Sequence, residues 1–178
     1  MKLALGIGSF GQLLLNSTKY LNTITEYNTL VVIDEFIPNK YTIPTFLTDK
    51  RGHVIQSFDT LFHTLDFELI MSIYTQCVVF VGIGGSYSSS VLEKILTQCS
   101  PKVLKKLFII AVQPFNFEGK NKQIYAKKME QLLAQMEINY QLFSNQNLLD
   151  NSQSNDIKTQ MDMFFKTLYD AIPHRKES

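Results

Sequence analysis

Apolar residues in this chain fall into short unbroken runs, separated by longer stretches in which they recur every three or four positions. Val78-Val79-Phe80-Val81 is one such run, rich in β-branched residues, and Leu107-Phe108-Ile109-Ile110-Ala111-Val112 is another. Runs of this length without alternation predict strands buried on both faces. Leu3 to Ile7, Leu30 to Ile33 and Tyr140 to Phe143 read as further strands. Between them the spacing turns helical: Leu13 to about Leu21, Leu61 to Ile73, Val91 to Leu96, and Ile124 to Met136. A last helix is expected over 157–172, with Met161, Phe164, Phe165, Leu168 and Ile172 on one face and Pro173 as its stop. Residues 36–59 resist this reading. Pro38 and Pro44 break the pattern, Asp49-Lys50-Arg51-Gly52 reads as a turn, and His53 to Phe58 reads as an extended piece.

Strands that alternate with helices predict an α/β fold, a mainly parallel sheet with helices on both faces. The expected architecture is a single-domain Rossmann-like three-layer sandwich over residues 1–172, with 173–178 as a flexible tail. Right-handed crossovers then gather the C-terminal loops of the strands at one sheet edge, where ligands of such folds bind.

Two of those loops carry phosphate chemistry in their residue types. Gly6-Ile7-Gly8-Ser9-Phe10-Gly11 is a G-x-G-x-x-G following a strand and opening a helix, the arrangement of a first nucleotide turn. Asp34 ends the next strand, where a Rossmann unit places its ribose-binding acid, although acids also end parallel strands with no such role. Gly82-Ile83-Gly84-Gly85 follows the Val78 strand and leads into Ser86, Ser88, Ser89 and Ser90 before a helix expected from Val91. Glycines let a backbone approach a bulky anion, and amides at a helix start favour negative charge. The bland alternative, glycines that only close a tight turn and serines that only cap, stands beside this one.

Composition narrows the field. The chain has 178 residues with 45% hydrophobic content, enough for one buried core, and 17 basic against 16 acidic residues give a net charge of +1. No bulk field points to nucleic acid or an anionic membrane, and no apolar run is long enough to span a bilayer. A cytoplasmic location without membrane insertion is expected. Cys77 and Cys99 lack metal-ligand spacing and read as idle thiols, and His53 and His63 have no third ligand nearby, so no metal site is expected.

The run Phe108 to Lys120, ending in Pro114-Phe115-Asn116-Phe117-Glu118-Gly119-Lys120, is followed by a long helix, a strand and Asn145-Gln146-Asn147-Leu148-Leu149. This order resembles the nucleotide-binding half of the bacterial tubulin homologue FtsZ, in which a PF-[NS]-FEGK-type segment precedes an N-D-x-L-L-type segment. Gly6, Gly8, Ser9 and Gly11 then correspond to the family's first nucleotide loop. Gly84, Gly85, Ser86, Tyr87, Ser88 and Ser89 stand at its phosphate signature, GGGTGTG. The resemblance implies a tubulin/FtsZ GTPase-domain fold that takes GTP or GDP with Mg²⁺. It implies further that Glu118 matches a ribose contact, Asn145 a guanine contact, and Lys122 a basic residue that is normally arginine. The departures point the other way. Three signature glycines are serines, and Tyr87 replaces a threonine. Any of these residues forced into left-handed backbone would cost about 1 kcal/mol or more.

The acids that activate water in the family lie beyond the long central helix and serve the neighbouring subunit. No self-contained hydrolysis, and no catalytic residue, is expected of this half. The resulting expectation is a degenerate or non-hydrolysing guanine-nucleotide-binding domain, self-associating or docking on a full-length FtsZ-like or other division protein. An NAD(P)-binding oxidoreductase domain, or a GTPase completed by a partner subunit, are the alternatives.

Overall fold

A computed structural model describes residues 1–17, 25–34, 45–48, 54–58, 66–150 and 156–173. Five strands form the parallel heart of the sheet: β1 (Lys2–Ile7), β2 (Tyr27–Asp34), β5 (Gln76–Gly82), β6 (Leu107–Gln113) and β7 (Asn139–Ser144). A short antiparallel hairpin, β3 (Thr45–Thr48) and β4 (Val54–Phe58), extends it beside β2, giving the order β4-β3-β2-β1-β5-β6-β7.

Side chains alternate across the pleat. In β1, β5 and β6, Leu3, Leu5, Ile7, Cys77, Val79, Val81, Leu107, Ile109 and Ala111 point to one face. There they meet α2 (Phe67–Ser72), α3 (Ser86–Gln98) and α5 (Lys120–Gln135) through Phe67, Met71, Leu92, Ile95, Met129 and Leu133. Ala4, Val78, Phe80, Ile110 and Val112 point to the other face, against α1 (Gly8–Asn16) and α7 (Ile157–Asp170). The three-layer sandwich read from the sequence is therefore the fold.

Tyr169 fixes α7 in place. It is fully buried, its ring lies 5.8 Å from that of Phe80, and its hydroxyl donates to the Leu14 carbonyl of α1 at 2.9 Å. Burial pushes its phenol well above the ordinary range. Cys77 and Cys99 are buried free thiols. Burial pushes both up to about 11, so both stay protonated at neutral pH.

Several boundaries differ from the sequence reading. The helix expected from Val91 begins at Ser86, because Gly85 supplies an extended N-cap and the following serines suit a first helical turn. Ser86 to Ser90 are helical, so the left-handed cost that these residues would carry in other backbone does not arise. The basic connection after Ser100 holds a one-turn helix, α4 (Pro101–Leu104), with Ser100 as its cap and Pro101 at its first position. The segment after Asn145 is a short helix, α6 (Gln146–Asp150). α1 is described to Asn16, and the expected continuation to Leu21 lies largely outside the described residues, as do Leu61, Phe62 and Leu65 of the helix before β5, the Asp49–Gly52 turn, both His53 and His63, and the tail beyond Pro173.

Candidate functional site

The parallel strands run β2-β1-β5-β6-β7, so successive connections leave β1 in one direction and return to the sheet on its other side at β5. Such a reversal opens a crevice at the C-terminal ends of the two strands. A cleft of about 280 Å³ lies there, lined by Ser9, Phe10, Gly82, Gly84, Gly85, Ser88, Val112, Pro114, Glu118, Lys122 and Asn145.

The β1–α1 turn is built by three glycines with separate duties. Gly8 turns the chain at φ 68°, a conformation that side chains disfavour. Gly6 and Gly11 allow α1 to touch the sheet: a Cβ on Gly6 would lie 2.7 Å from the Gly11 carbonyl oxygen, and one on Gly11 would lie 2.6 Å from the Gly6 backbone and 2.8 Å from the Phe80 carbonyl. Ser9 is exposed beside this turn, and Phe10 follows it half-buried.

The β5–α3 loop forms the second wall. The Ile83 amide donates to the Val112 carbonyl at 3.0 Å, continuing the β5–β6 ladder past the strand end. Gly84 passes so close to Pro114 that a Cβ would stand 2.9 Å from its ring. The first intrahelical bond of α3 runs from the Ser89 amide to the Gly85 carbonyl, so the Ser86 and Ser88 amides precede it. The hydroxyls are committed elsewhere. Ser88 Oγ lies 2.5 Å from the Gly82 carbonyl and 3.3 Å from that of Gly85, and Ser89 Oγ donates to Ile83 at 3.0 Å. These bonds stitch the loop to the helix. Ser86 is exposed and Tyr87 is half-buried against the α3 face of the core.

The third wall comes from the β6–α5 turn. The Glu118 carboxylate accepts from the Phe115 amide at 2.8 Å and from Lys122 Nζ at 2.5 Å, one helical turn on. Gln123 donates to the Phe115 carbonyl at 2.7 Å, and Gly119, at φ 92°, starts α5. Burial pushes the Glu118 carboxyl up, but the bonds from Lys122 and Phe115 together with the lysine charge outweigh it and hold the group below its ordinary value of 4.5. A lowered folded-state value means that its contribution is fully present above about pH 4.5 and lost as pH falls through the folded value. The difference in unfolding free energy between the protein and Glu118→Gln is therefore expected to shrink as acid is added below that point. A difference independent of pH, measured by denaturant titration, would remove the pair from the stability of this turn.

Asn145 completes the cleft at the end of β7. Its amide donates to the Gln113 carbonyl at 3.2 Å and its carbonyl accepts from Leu148, which sets the residue between strand and α6. Among the described residues its side chain has no hydrogen-bond partner.

The cleft thus gathers Ser9, Gly84, Gly85, Ser88, Glu118, Lys122 and Asn145 from sequence positions far apart. Gly6, Gly8 and Gly11 shape the turn beneath it, while Ser86, Tyr87 and Ser89 are outside its lining. Phe10, Gly82, Val112 and Pro114 line it too, although the sequence named them only as parts of their turn, loop, strand and motif and not as contacts in their own right. Val112 reads in the sequence as part of a buried strand, and Phe10 stands inside the G-x-G-x-x-G turn, the one signal that placed it near a ligand. Among the described residues no group of three His, Cys, Asp or Glu side chains is placed to hold a metal ion, and no helix is long and apolar enough to cross a membrane.

No family model and no curated protein matches the sequence. Solved structures do match the fold. CetZ1 from Haloferax volcanii, solved as a GDP-bound monomer, superposes with a TM-score of 0.55 at 14% identity, over 95% of this chain and 58% of that one. CetZ from Methanosaeta thermophila strain DSM 6194 gives 0.58 at 16% identity, over 96% and 52%. The chain therefore has an FtsZ/tubulin-like GTPase-domain fold, and it spans little more than half the length of these relatives in structure.

Proposed function

We propose that this chain is a non-hydrolysing guanine-nucleotide-binding domain of the FtsZ/tubulin type that serves as an interaction or regulatory partner in cell division or cytoskeletal assembly. The observation that carries the reading is the convergence of Ser9, Gly84, Gly85, Glu118, Lys122 and Asn145 on one cleft at the switch point of this fold. In this reading the phosphates lie toward the Gly8–Ser9 turn and the start of α3, the ribose toward Glu118, and the guanine edge toward Asn145, whose carboxamide supplies both a donor and an acceptor. The GDP held by CetZ1 in the same fold supports the ligand class. Glu118 is the one carboxylate among the described residues lining the cleft, and it is tied to Lys122, which leaves no second acid there to activate water. A domain of this kind presents one longitudinal face to a related filament, which suits capping or sequestering.

The test is to assay freshly purified protein for bound nucleotide, then titrate it with GTP, GDP and NAD, with and without Mg²⁺, while following phosphate release. Saturable guanine binding at background phosphate release is the expected result. Binding of NAD instead would replace the reading with an oxidoreductase domain, and sustained phosphate release by the chain alone would overturn its non-hydrolysing part. Unchanged length and turnover of full-length FtsZ-like filaments on addition of the protein would remove the regulatory role.

A further inference from the structure

The strand at one end of the sheet is open. All interior positions of β1 and β5 are buried, whereas β7 has no buried residue, and Gln141 and Leu142, on opposite faces, are both exposed. Its pairing with β6 is regular, from Asn139 beside Phe108 to Ser144 beside Gln113. The ladder runs on to Asn145, whose amide donates to the Gln113 carbonyl at 3.2 Å. Backbone groups of successive strand residues point to alternate sides, so those of Asn139, Gln141 and Phe143 share the direction of Asn145, toward β6. The N–H and C=O groups of Tyr140, Leu142 and Ser144 therefore point away from the sheet, and among the described residues no hydrogen bond reaches them.

Proteins blunt such an edge with lysine, proline, a bulge or a covering segment. Here residues 138–149 contain no charge and no proline, the β6–β7 register does not shift, and none of the described residues bonds the edge. At the opposite end of the sheet the β3–β4 pairing does shift register, between Leu47 and Thr48.

We propose that β7 is a dimerisation edge, pairing antiparallel with β7 of a second copy of this chain about a two-fold axis at Leu142. Facing residues of an antiparallel pair lie on the same face of the sheet. In this register Leu142, 37% exposed in the single chain, faces its counterpart, Tyr140 faces Ser144, and Gln141 faces Phe143. Every outward N–H and C=O of Tyr140, Leu142 and Ser144 then gains a partner in the other copy. No like charges oppose one another, because the whole stretch is uncharged. The strand is thus its own complement in hydrogen bonding, charge and apolar contact, which selects a second copy as the occupant. The two-fold closes on itself, so the product is a dimer and not a filament. An edge of six residues is about 20 Å long. Such a contact is at the small end of specific interfaces, and the dimer is expected to dissociate on dilution. The proposal does not depend on the nucleotide reading.

Sedimentation of the full chain over a concentration series, with amide hydrogen exchange followed by NMR, tests it. The wild type is expected to pass from monomer to dimer in the micromolar range, and exchange at Tyr140, Leu142 and Ser144 is expected to slow about tenfold or more as the dimer forms. Leu142→Lys sets like charges on the axis and is expected to weaken the dimer about tenfold or more. Leu142→Pro removes an outward N–H that β6 does not use, and is expected to give a folded monomer. A wild type that stays monomeric with these amides exchanging freely overturns the proposal. Slow exchange of the three amides in a monomer, independent of concentration, means that another segment of this chain covers the edge, and it also overturns it. So does a dimer that survives unchanged in folded Leu142→Lys and Leu142→Pro, or growth of the wild type into open-ended assemblies. Should both variants fail to fold, the wild type decides: dimerisation that protects the three amides upholds the proposal, and dimerisation that leaves them exchanging freely overturns it.

Discussion

Gly11→Ala is expected to destabilise the protein by about 3 kcal/mol or more, a large share of the roughly 5–15 kcal/mol that holds an ordinary domain folded. The added methyl would stand 2.6 Å from the backbone of Gly6 and 2.8 Å from the Phe80 carbonyl, and all of these are main-chain atoms in the central strands. Flexible side chains do not absorb such a clash. α1 would have to lift from the sheet, breaking its packing through Leu14 and Leu15. Gly119→Ala is the matched control. Gly119 sits at φ 92° and ψ 158° with nothing within 4 Å of the new methyl, so only the backbone cost of that glycine-favouring conformation, about 1–3 kcal/mol, applies. Denaturant unfolding of the two variants compares them directly. Equal losses would mean that the close approach of α1 to β1 and β5 has little energetic weight.

The second large effect is expected at Tyr169. Tyr169→Ala removes a fully buried ring packed against Phe80 and should cost about 3–5 kcal/mol, in the range of other large aromatic truncations. Tyr169→Phe should cost only about 1 kcal/mol. The Leu14 carbonyl it abandons keeps the Ser17 amide as a partner at 3.1 Å, so no buried acceptor is stranded. Ring burial and not the hydroxyl thus dominates. A Phe variant as unstable as the Ala variant, by thermal or denaturant melting, would reverse that order and make the hydrogen bond the principal clasp between α7 and α1.

The frame of the fold was open to reading from the sequence because its strands are buried on both faces. Val78 to Val81 and Leu107 to Val112 show no polar interruption, and that leaves few other structures for them. The β3–β4 hairpin was harder. Thr45-Phe46-Leu47-Thr48 is too short to show a period, and it lies toward the sheet edge, where the pattern imposed by neighbouring strands is weakest. At the site, residue types were legible and their orientations were not. Gly6, Gly8 and Gly11 look alike in the sequence, yet one serves a turn and two serve helix packing. The Ser88 and Ser89 hydroxyls look like phosphate donors in one dimension. They turn to Gly82 and Ile83 once the helix starts at Ser86, five residues before the apolar pattern announces it. Pro114 stood in the sequence only as the start of its motif, and its contact with Gly84 was not legible, since it depends on how closely that glycine passes.

The order of strands has a consequence for how the chain assembles as it is made. β1 lies between β2, the next strand in the chain among the described residues, and β5, whose paired residues come about seventy positions later. During synthesis the first half of the sheet therefore emerges with the apolar flank of β1 unmatched, and it waits for Gln76–Gly82 before the central ladder closes. Pairing at such separation is slow, and open strand edges invite association with other chains in the interval.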